Sequence, residues 1–223
     1  MENVSFSPSL MCMPLLKTEQ QIRFLDGKCD SYHVDIMDGH FVPNITLSPT
    51  YVKEVSELSS LPFDCHLMVT NPQDYVDELV ANGAAMITVH IESINGVAYR
   101  LFNRLDSLGV KKGLAINPET SVQELYQLLP HVDKVTVMAV DPGFRGQPFI
   151  PDVLDKIKDL ATYRSLKDLT FQIEVDGSCN TETFKRYKEA GVDVFVLGSA
   201  LFNQDEIETA WEKMAVDFEN CLA

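Results

Sequence analysis

Two segments of the chain combine a strand-like apolar run with a carboxylate and a glycine turn. They are residues 33–39, HVDIMDG, and residues 174–178, EVDGS. Side chains two residues apart on a strand point to the same face, so His33 and Asp35 are predicted to face the same way. If both strands belong to one parallel sheet, Asp35 and Asp176 can converge from different directions. Two such carboxylates with histidines nearby suggest metal-assisted proton transfer.

The chemistry that this arrangement suits is inversion of a carbon next to a ketone. A proton at that carbon is too weak an acid to leave at neutral pH. A cation bound to both oxygens of an α-hydroxyketone stabilises the ene-diolate that forms. One carboxylate would remove the proton from one face, and the other would return a proton to the opposite face. Asp35 and Asp176 are the predicted pair, each serving as ligand and as acid or base.

The candidate metal ligands are two imidazoles and two carboxylates at the ends of predicted strands. His33 and Asp35 end the second strand, His66 the third and Asp176 the seventh. A single histidine after a strand is more often a structural residue. Four such residues at strand ends favour a first shell for a divalent transition metal, with positions left for substrate oxygens.

A second group of residues is typical of phosphate binding. Three successive predicted strands are followed by glycine turns, which contain Gly143, Phe144, Arg145, Gly146 and Gln147, then Gly177 and Ser178, then Gly198 and Ser199. Glycines let backbone N–H groups approach an anion, and phosphate sites after strands seven and eight recur in TIM barrels. Each pair alone is an ordinary turn; their grouping favours a phosphate site. Arg145 fits either phosphate neutralisation or a solvated loop.

Three methionines lie at or just past predicted strand ends. They are Met37, Met68 and Met138. Core filling is the usual role of methionine, and a dry layer around the reacting carbons is the alternative.

The elements that must position these residues alternate along the chain. Strands are predicted at residues 5–10, 31–36, 63–68, 86–90, 111–116, 134–138, 170–175 and 194–197. Helices are predicted at residues 18–26, 49–59, 72–82, 95–107, 121–129, 150–165, 181–190 and 205–220. Eight β/α alternations without a linker predict a single (β/α)₈ TIM-barrel domain over residues 1–223. An open doubly wound sheet would need a glycine-rich turn after the first strand, and none is present.

The composition narrows the class of protein. Of 223 residues, 45% are apolar, and 18 basic against 33 acidic residues give a net charge of −15. This charge argues against nucleic acid or an anionic membrane as the main partner, but not against a phosphorylated metabolite. Five scattered cysteines, with no signal peptide or membrane-spanning run, predict reduced thiols in a cytoplasmic protein.

Five motifs, in order, resemble the ribulose-phosphate 3-epimerase family. They are SPSL at residues 7–10, HVDIMDGHFVPN at 33–44, DCHLM at 64–68, DPGFRGQ at 141–147 and EVDGS at 174–178. The resemblance covers about residues 5–203. It implies a TIM barrel of the ribulose-phosphate binding type, a phosphorylated ketose as substrate and a homo-oligomer.

The resemblance also implies roles for individual residues. It supports His33, Asp35, His66 and Asp176 as ligands of one divalent metal, with Zn²⁺ as well as Fe²⁺, Co²⁺ or Mn²⁺ compatible with this set. It places the substrate serine at Ser7 and assigns the three methionines to the dry layer. His66 and the three glycine turns would contact the substrate.

Three departures from the family pattern concern the substrate. The chain has LMCM at residues 10–13, Asp141 before Pro-Gly-Phe, and Ser178 after Asp-Gly. These look like a branch that interconverts D-allulose 6-phosphate and D-fructose 6-phosphate. The alternative is D-ribulose 5-phosphate 3-epimerase. Decarboxylases of similar fold need a lysine that the stretch after Asp35 lacks, and a non-catalytic sugar-phosphate sensor would not need two converging carboxylates.

Overall fold

Eight parallel strands alternate with helices and form a nearly closed barrel, as the sequence predicts. The computed structural model describes residues 4–204 and 206–222. The strands are β1 Ser5–Pro8, β2 Tyr32–Met37, β3 Phe63–Met68, β4 Ala84–His90, β5 Lys111–Ile116, β6 Lys134–Met138, β7 Gln172–Asp176 and β8 Val194–Leu197. The α-helices are α1 Thr18–Leu25, α2 Pro49–Ser56, α3 Val76–Ala81, α4 Ala98–Leu108, α5 Val153–Leu166, α6 Phe184–Ala190, α7 Ser199–Phe202 and α8 Ile207–Leu222.

Strand pairing follows chain order and continues from β8 to β1. Between β1 and β2 the barrel closes through a parallel bridge joining Ser9 to His33. The Leu10 amide donates to the His33 carbonyl at 2.8 Å. The first strand therefore meets the second at its carboxyl end, which is the end where the predicted site residues lie.

Alternation along the strands separates two environments. On β2 and β3 every residue is buried, which is usual for parallel strands covered on both faces. Val34, Ile36, Cys65 and Leu67 belong to the large apolar core. The alternate positions point into the lumen, where His33 pairs in register with Asp64 and Asp35 with His66. The lumen is consequently polar and charged.

The fifth β/α unit differs from the prediction. In place of an α-helix over residues 121–129, the chain forms two 3₁₀ helices, Val122–Leu125 and Leu129–His131. Val122, Leu125 and Leu128 are three residues apart and all buried. That spacing matches the three residues per turn of a 3₁₀ helix, and the following Pro130 disfavours α-helical backbone just before it.

A smaller difference concerns residues 72–82. The predicted helix there starts as a 3₁₀ turn, Pro72–Asp74, before α3.

Glycine ends α4 at Gly109 and α6 at Gly191, both with the positive φ expected of such caps. In the part of the chain described, no helix has the length and apolar character needed to cross a bilayer.

Candidate active site and metal centre

The four predicted ligands meet at the carboxyl end of the barrel. His33 Nε2 lies 3.1 Å from His66 Nδ1, 3.3 Å from Asp35 Oδ1 and 3.7 Å from Asp176 Oδ2. His66 Nδ1 lies 3.4 Å from Asp35 Oδ1 and 3.7 Å from Asp176 Oδ2. Three strands thus bring one donor atom from each of four side chains to one point.

This cluster fits a divalent metal in both spacing and chemistry. The four donor atoms all lie within 4.8 Å of one another. Ligands bonded at about 2.1 Å in a tetrahedral shell lie about 3.4 Å apart, and the distances from the two histidine nitrogens to each other and to the carboxylate oxygens are 3.1 to 3.7 Å. Two imidazole nitrogens and two carboxylate oxygens suit zinc and neighbouring transition metals. His33, Asp35, His66 and Asp176 would therefore hold such an ion.

A buried ionic layer lies beneath His33. Its Nδ1 atom is 3.5 Å from Asp64 Oδ2 and 3.6 Å from Glu174 Oε1. Lys134 forms ion pairs with both carboxylates, with a distance of 2.7 Å to Glu174. Thr88 Oγ1 donates to Asp64 at 2.6 Å. Burial opposes a charge on His33, but the surrounding carboxylates outweigh it and raise the pKa of this imidazole well above its ordinary value.

A different set of groups lies behind His66. Its Nε2 atom is 2.8 Å from Nε2 of His90, and His90 Nδ1 is 3.2 Å from Glu92 Oε2. Both rings are fully buried. Burial lowers the pKa of His90 to about 4, so this ring is neutral at neutral pH.

The two catalytic candidates ionise differently. Burial and the negative charge of Asp35 raise the pKa of Asp176 to about 7. Burial also opposes the charge on Asp35, but the His33 and His66 imidazoles overcome it and hold the pKa of that carboxyl far below its usual range. Two carboxyl groups with separated pKa values are the arrangement expected of a base and an acid.

The cluster opens into a cavity of about 430 Å³. Predicted residues that line it are Asp35, Met37, Met68, Met138, Gly143, Phe144, Arg145, Gly146, Gln147, Asp176, Gly177, Ser178, Gly198 and Ser199. The metal cluster, the methionines and the three glycine turns therefore share one space. His33 and His66 lie just beneath it, fully buried.

The structure does not bring Ser7 into this cavity. Ser7 is fully buried, and its Oγ accepts a hydrogen bond from Ser31 Oγ at 2.9 Å. Ser9 lines the cavity instead and donates to Asp35 Oδ2 at 2.7 Å. Because alternate residues of a strand face the same way, both serines point into the lumen, with Ser7 one layer deeper. The assignment to Ser7 is thus corrected to Ser9.

Several residues that were not assigned to the site from the sequence also line the cavity. Met11 and Cys12 follow β1, and Asn180 follows the turn after β7. The period-two pattern of β1 was the available signal for Ser9. Met11 and Cys12 were singled out only as departures from the family pattern, because an irregular turn has no strand period that would assign them to the cavity.

Close backbone packing explains two of the glycines in the turns. A Cβ atom on Gly177 would lie 2.8 Å from Val140, and one on Gly143 would lie 3.0 Å from Val42. Both residues have φ near +112°, which disfavours other side chains. The turns after β6 and β7 can therefore approach the cavity with their amides uncovered.

Loops from other strands cover the same opening. Asp38 accepts hydrogen bonds from the amides of His40, Phe41 and Thr70, at 2.7 to 2.9 Å. Asn44 Nδ2 donates to the Gly143 carbonyl at 2.7 Å. The loop after β2 is thereby tied to the loops after β3 and β6.

Solved structures with similar folds include two barrels of low sequence identity. KGPDC from Streptococcus mutans has a TM-score of 0.70 at 12% identity, covering all of both chains. Orotidine 5′-monophosphate decarboxylase from Sulfolobus solfataricus has a TM-score of 0.68 at 14% identity, covering 99% of this chain and 100% of that one. At such identities the likeness shows the barrel fold alone.

Curated relatives are much closer in sequence. Ribulose-phosphate 3-epimerase of Bacillus subtilis is 38% identical over 211 residues, covering 93% of this chain and 96% of its own. The Mycobacterium tuberculosis enzyme of the same name is 36% identical over 203 residues, covering 90% of this chain and 86% of its own. A chloroplastic ribulose-5-phosphate-3-epimerase of Arabidopsis thaliana is 36% identical over 210 residues, covering 93% of this chain and 75% of its own. The model of the ribulose-phosphate 3 epimerase family matches residues 5–202. The chain belongs to the ribulose-phosphate 3-epimerase family.

Proposed function

We propose that this enzyme is a metal-dependent 3-epimerase of a ketose phosphate. One observation carries the proposal: Asp35 and Asp176 meet at a metal-binding cluster, with pKa values displaced in opposite directions. Across the same cavity lie the glycine turns after β6, β7 and β8. A reacting carbon near the cluster and a phosphate at the turns would both be accommodated.

The proton transfers follow from the two ionisation states. Asp35, ionised, takes the proton from carbon 3 on one face of the substrate. Asp176, protonated, gives its proton to carbon 3 on the opposite face, and the configuration inverts. In the reverse direction the two roles exchange. A divalent cation held by the cluster would supply positive charge that stabilises the ene-diolate oxygens.

Other residues of the chain orient the base and exclude water. Ser9 donates to the Asp35 oxygen that does not face the histidines, which fixes the direction of the carboxylate. Met37, Met68 and Met138 give the cavity an apolar wall near the reacting carbon. Backbone amides at the glycine turns, with Arg145 beside them, would hold the phosphate without a buried lysine.

The choice of substrate rests on two observations that point in different directions. The named relatives support D-ribulose 5-phosphate, and on this ground it is the leading candidate. D-allulose 6-phosphate is the second candidate, because residues that depart from the family pattern line the cavity. These are Met11, Cys12 and Ser178.

A matched assay decides between the two substrates. The metal-loaded protein is assayed with D-ribulose 5-phosphate and with D-allulose 6-phosphate, and kcat/KM is compared. A tenfold preference, about 1.4 kcal/mol in the barrier, assigns the substrate. If neither substrate is epimerised, the proposed function is overturned. If turnover is unchanged after chelation, the metal dependence is overturned.

We further propose Zn²⁺ as the first metal to test, with Fe²⁺, Co²⁺ and Mn²⁺ as alternatives.

A cytoplasmic location is supported by the cysteines, all five of which are free thiols. Self-association is supported by apolar side chains exposed after β1 and β2, namely Leu15, Leu16 and Ile45. Light scattering of the purified protein would test the oligomeric state.

A further inference from the structure

A buried row of hydrogen bonds leads away from the metal cluster and is not used in the proton transfers. It begins at His66 Nε2, which lies 2.8 Å from His90 Nε2. It continues from His90 Nδ1 to Glu92 Oε2 over 3.2 Å. Neither His90 nor Glu92 lines the cavity, and neither belongs to the four-residue cluster.

The chemistry of the three groups fixes the order of protons along the row. The Glu92 carboxylate accepts and cannot donate, so Nδ1 of His90 carries the hydrogen. A neutral imidazole has one N–H, which leaves His90 Nε2 as an acceptor. His66 must then donate from Nε2 across the 2.8 Å that separate the two Nε2 atoms, and in the neutral ring this leaves Nδ1 without a hydrogen. Nδ1 is the atom that faces His33, Asp35 and Asp176.

The far end of the row is anchored in the protein. The other carboxylate oxygen of Glu92 accepts the backbone N–H of Asn117 at 2.9 Å. The Glu92 side chain is 21% exposed, whereas the His90 ring is fully buried. The ring of His90 also packs against Phe41, with centroids 4.7 Å apart. Glu92 therefore has a fixed position from which it can orient His90.

We propose that Glu92 and His90 are positioning residues that hold His66 in the tautomer whose bare Nδ1 faces the cluster, and thereby set the affinity for a divalent metal. The inference rests on the metal centre of the proposed function. It extends that function to two residues that touch neither substrate nor metal. Loss of such outer partners typically weakens metal binding about 10- to 100-fold.

The first test exchanges the acceptor at position 92 for a donor. In Glu92→Lys the ammonium donates to His90 Nδ1, which reverses the row and places a hydrogen on His66 Nδ1. We expect Zn²⁺ affinity, measured by competition with a chromophoric chelator, to fall at least tenfold. Glu119→Lys is the matched control. Glu119 is exposed and its charge acts on His90, but within the described chain it makes no hydrogen bond to that ring.

A second measurement reads the tautomer directly. Two-bond ¹H–¹⁵N spectra of the metal-free protein should show His66 protonated at Nε2 in the wild type and in Glu119→Lys, and at Nδ1 in Glu92→Lys. His90→Phe keeps a ring against Phe41 but removes the acceptor. It should also weaken Zn²⁺ binding, and adding Glu92→Lys to it should cause no further loss.

The outcomes separate this inference from the proposed function. A wild-type protein that binds no divalent metal overturns the metal centre and the inference together. Tight binding by the wild type, with equal binding by folded Glu92→Lys and His90→Phe, overturns the positioning role alone. A tenfold loss in both variants, with the control unchanged, supports it.

Discussion

Asp35 and Asp176 carry the same functional group, and their neighbours make them chemically different. Asp35 contacts two imidazoles and accepts the Ser9 hydroxyl hydrogen at 2.7 Å. Asp176 lies close to the negative charge of Asp35, and its pKa is raised to about 7. In the proposed mechanism, environment rather than residue type therefore assigns the base and the acid.

Replacing the acid should stop the reaction without unfolding the protein. We expect Asp176→Asn to lower kcat by at least about 10³-fold, within the range for loss of a general acid. Thermal unfolding of the metal-free variant should change little, because the lost charge is one that repels Asp35. Asp155→Asn, at a side chain 83% exposed, is the control. Turnover near the wild-type rate in Asp176→Asn would refute the two-carboxylate mechanism.

Ser7 in β1 and Ser9 just after it offer a comparison at neighbouring layers of the lumen. Ser9→Ala should lower kcat/KM about 10- to 150-fold, because a hydrogen bond to a charged group contributes about 1.5–3 kcal/mol. Ser7→Ala removes the partner of Ser31 and should affect stability more than turnover. Steady-state kinetics and melting temperatures of both variants test this. A larger kinetic loss in Ser7→Ala would restore the original assignment.

For individual residues, the sequence was informative about the chemical role of a side chain and less so about its depth in the barrel lumen. His33, Asp35, His66 and Asp176 were predicted because strand ends of a parallel barrel converge. Ser7 was preferred to Ser9 because a motif gives the residue type but not the layer. His90 was left unassigned, since a role that depends on another ligand has no motif of its own.

The strands position the site through their register. Asp35 pairs in register with His66 on the neighbouring strand, and Met138 pairs in register with Asp176. Short apolar runs predicted these strands well, four of them with the observed bounds. The fifth helix was not predicted correctly, because a three-residue apolar spacing near a proline resembles a helical pattern. Contacts between loops, such as that of Asn44 with Gly143, join residues far apart in sequence and leave no local pattern.

Asp38 is the residue through which the loop after β2 is held. Burial opposes its charge, but three backbone N–H groups lower its pKa to about 2. This stabilisation is complete above the unfolded pKa, near 4, and is lost as pH falls through the folded value. We expect Asp38→Asn to lower Tm by roughly 2–4 °C at pH 7, since about 1 kcal/mol remains after solvent screening.

Melting temperatures measured from pH 7 to pH 2 provide the check. The difference between the wild type and Asp38→Asn should shrink as the pH falls below about 4 and disappear near pH 2. Asp74→Asn, in the 3₁₀ turn after β3, is a control with the same change of charge. A difference that stays constant across this range would show that Asp38 does not act through its carboxylate.

For the whole barrel, the charged lumen is the unusual feature. Lys134, Asp64 and Glu174 are all buried, and together they fill the space beneath the metal cluster. Gly113 makes room for this layer, because a Cβ there would lie 2.0 Å from Thr88 Oγ1. The lysine ammonium pairs with both carboxylates of this layer and offsets one of their two negative charges.

Removing this internal cation should destabilise the whole fold. Lys134→Met removes the ammonium that pairs with two buried carboxylates and leaves them only the His33 imidazole, and breaking a buried pair in this way costs about 3–5 kcal/mol. Lys112→Met, on the neighbouring strand and paired with the exposed Asp106, should cost under about 1 kcal/mol. Adding Glu174→Gln to Lys134→Met should recover part of the loss. Equal denaturant midpoints for both lysine variants would contradict this account.

The central claim is that two carboxylates exchange protons with carbon 3 on opposite faces of a ketose phosphate. The most direct test is turnover in D₂O, with D-ribulose 5-phosphate and D-allulose 6-phosphate in parallel and the product examined by NMR. The account predicts a 3-epimer with deuterium at carbon 3, formed with metal and not after chelation. An epimer that retains the original hydrogen at carbon 3 would contradict it.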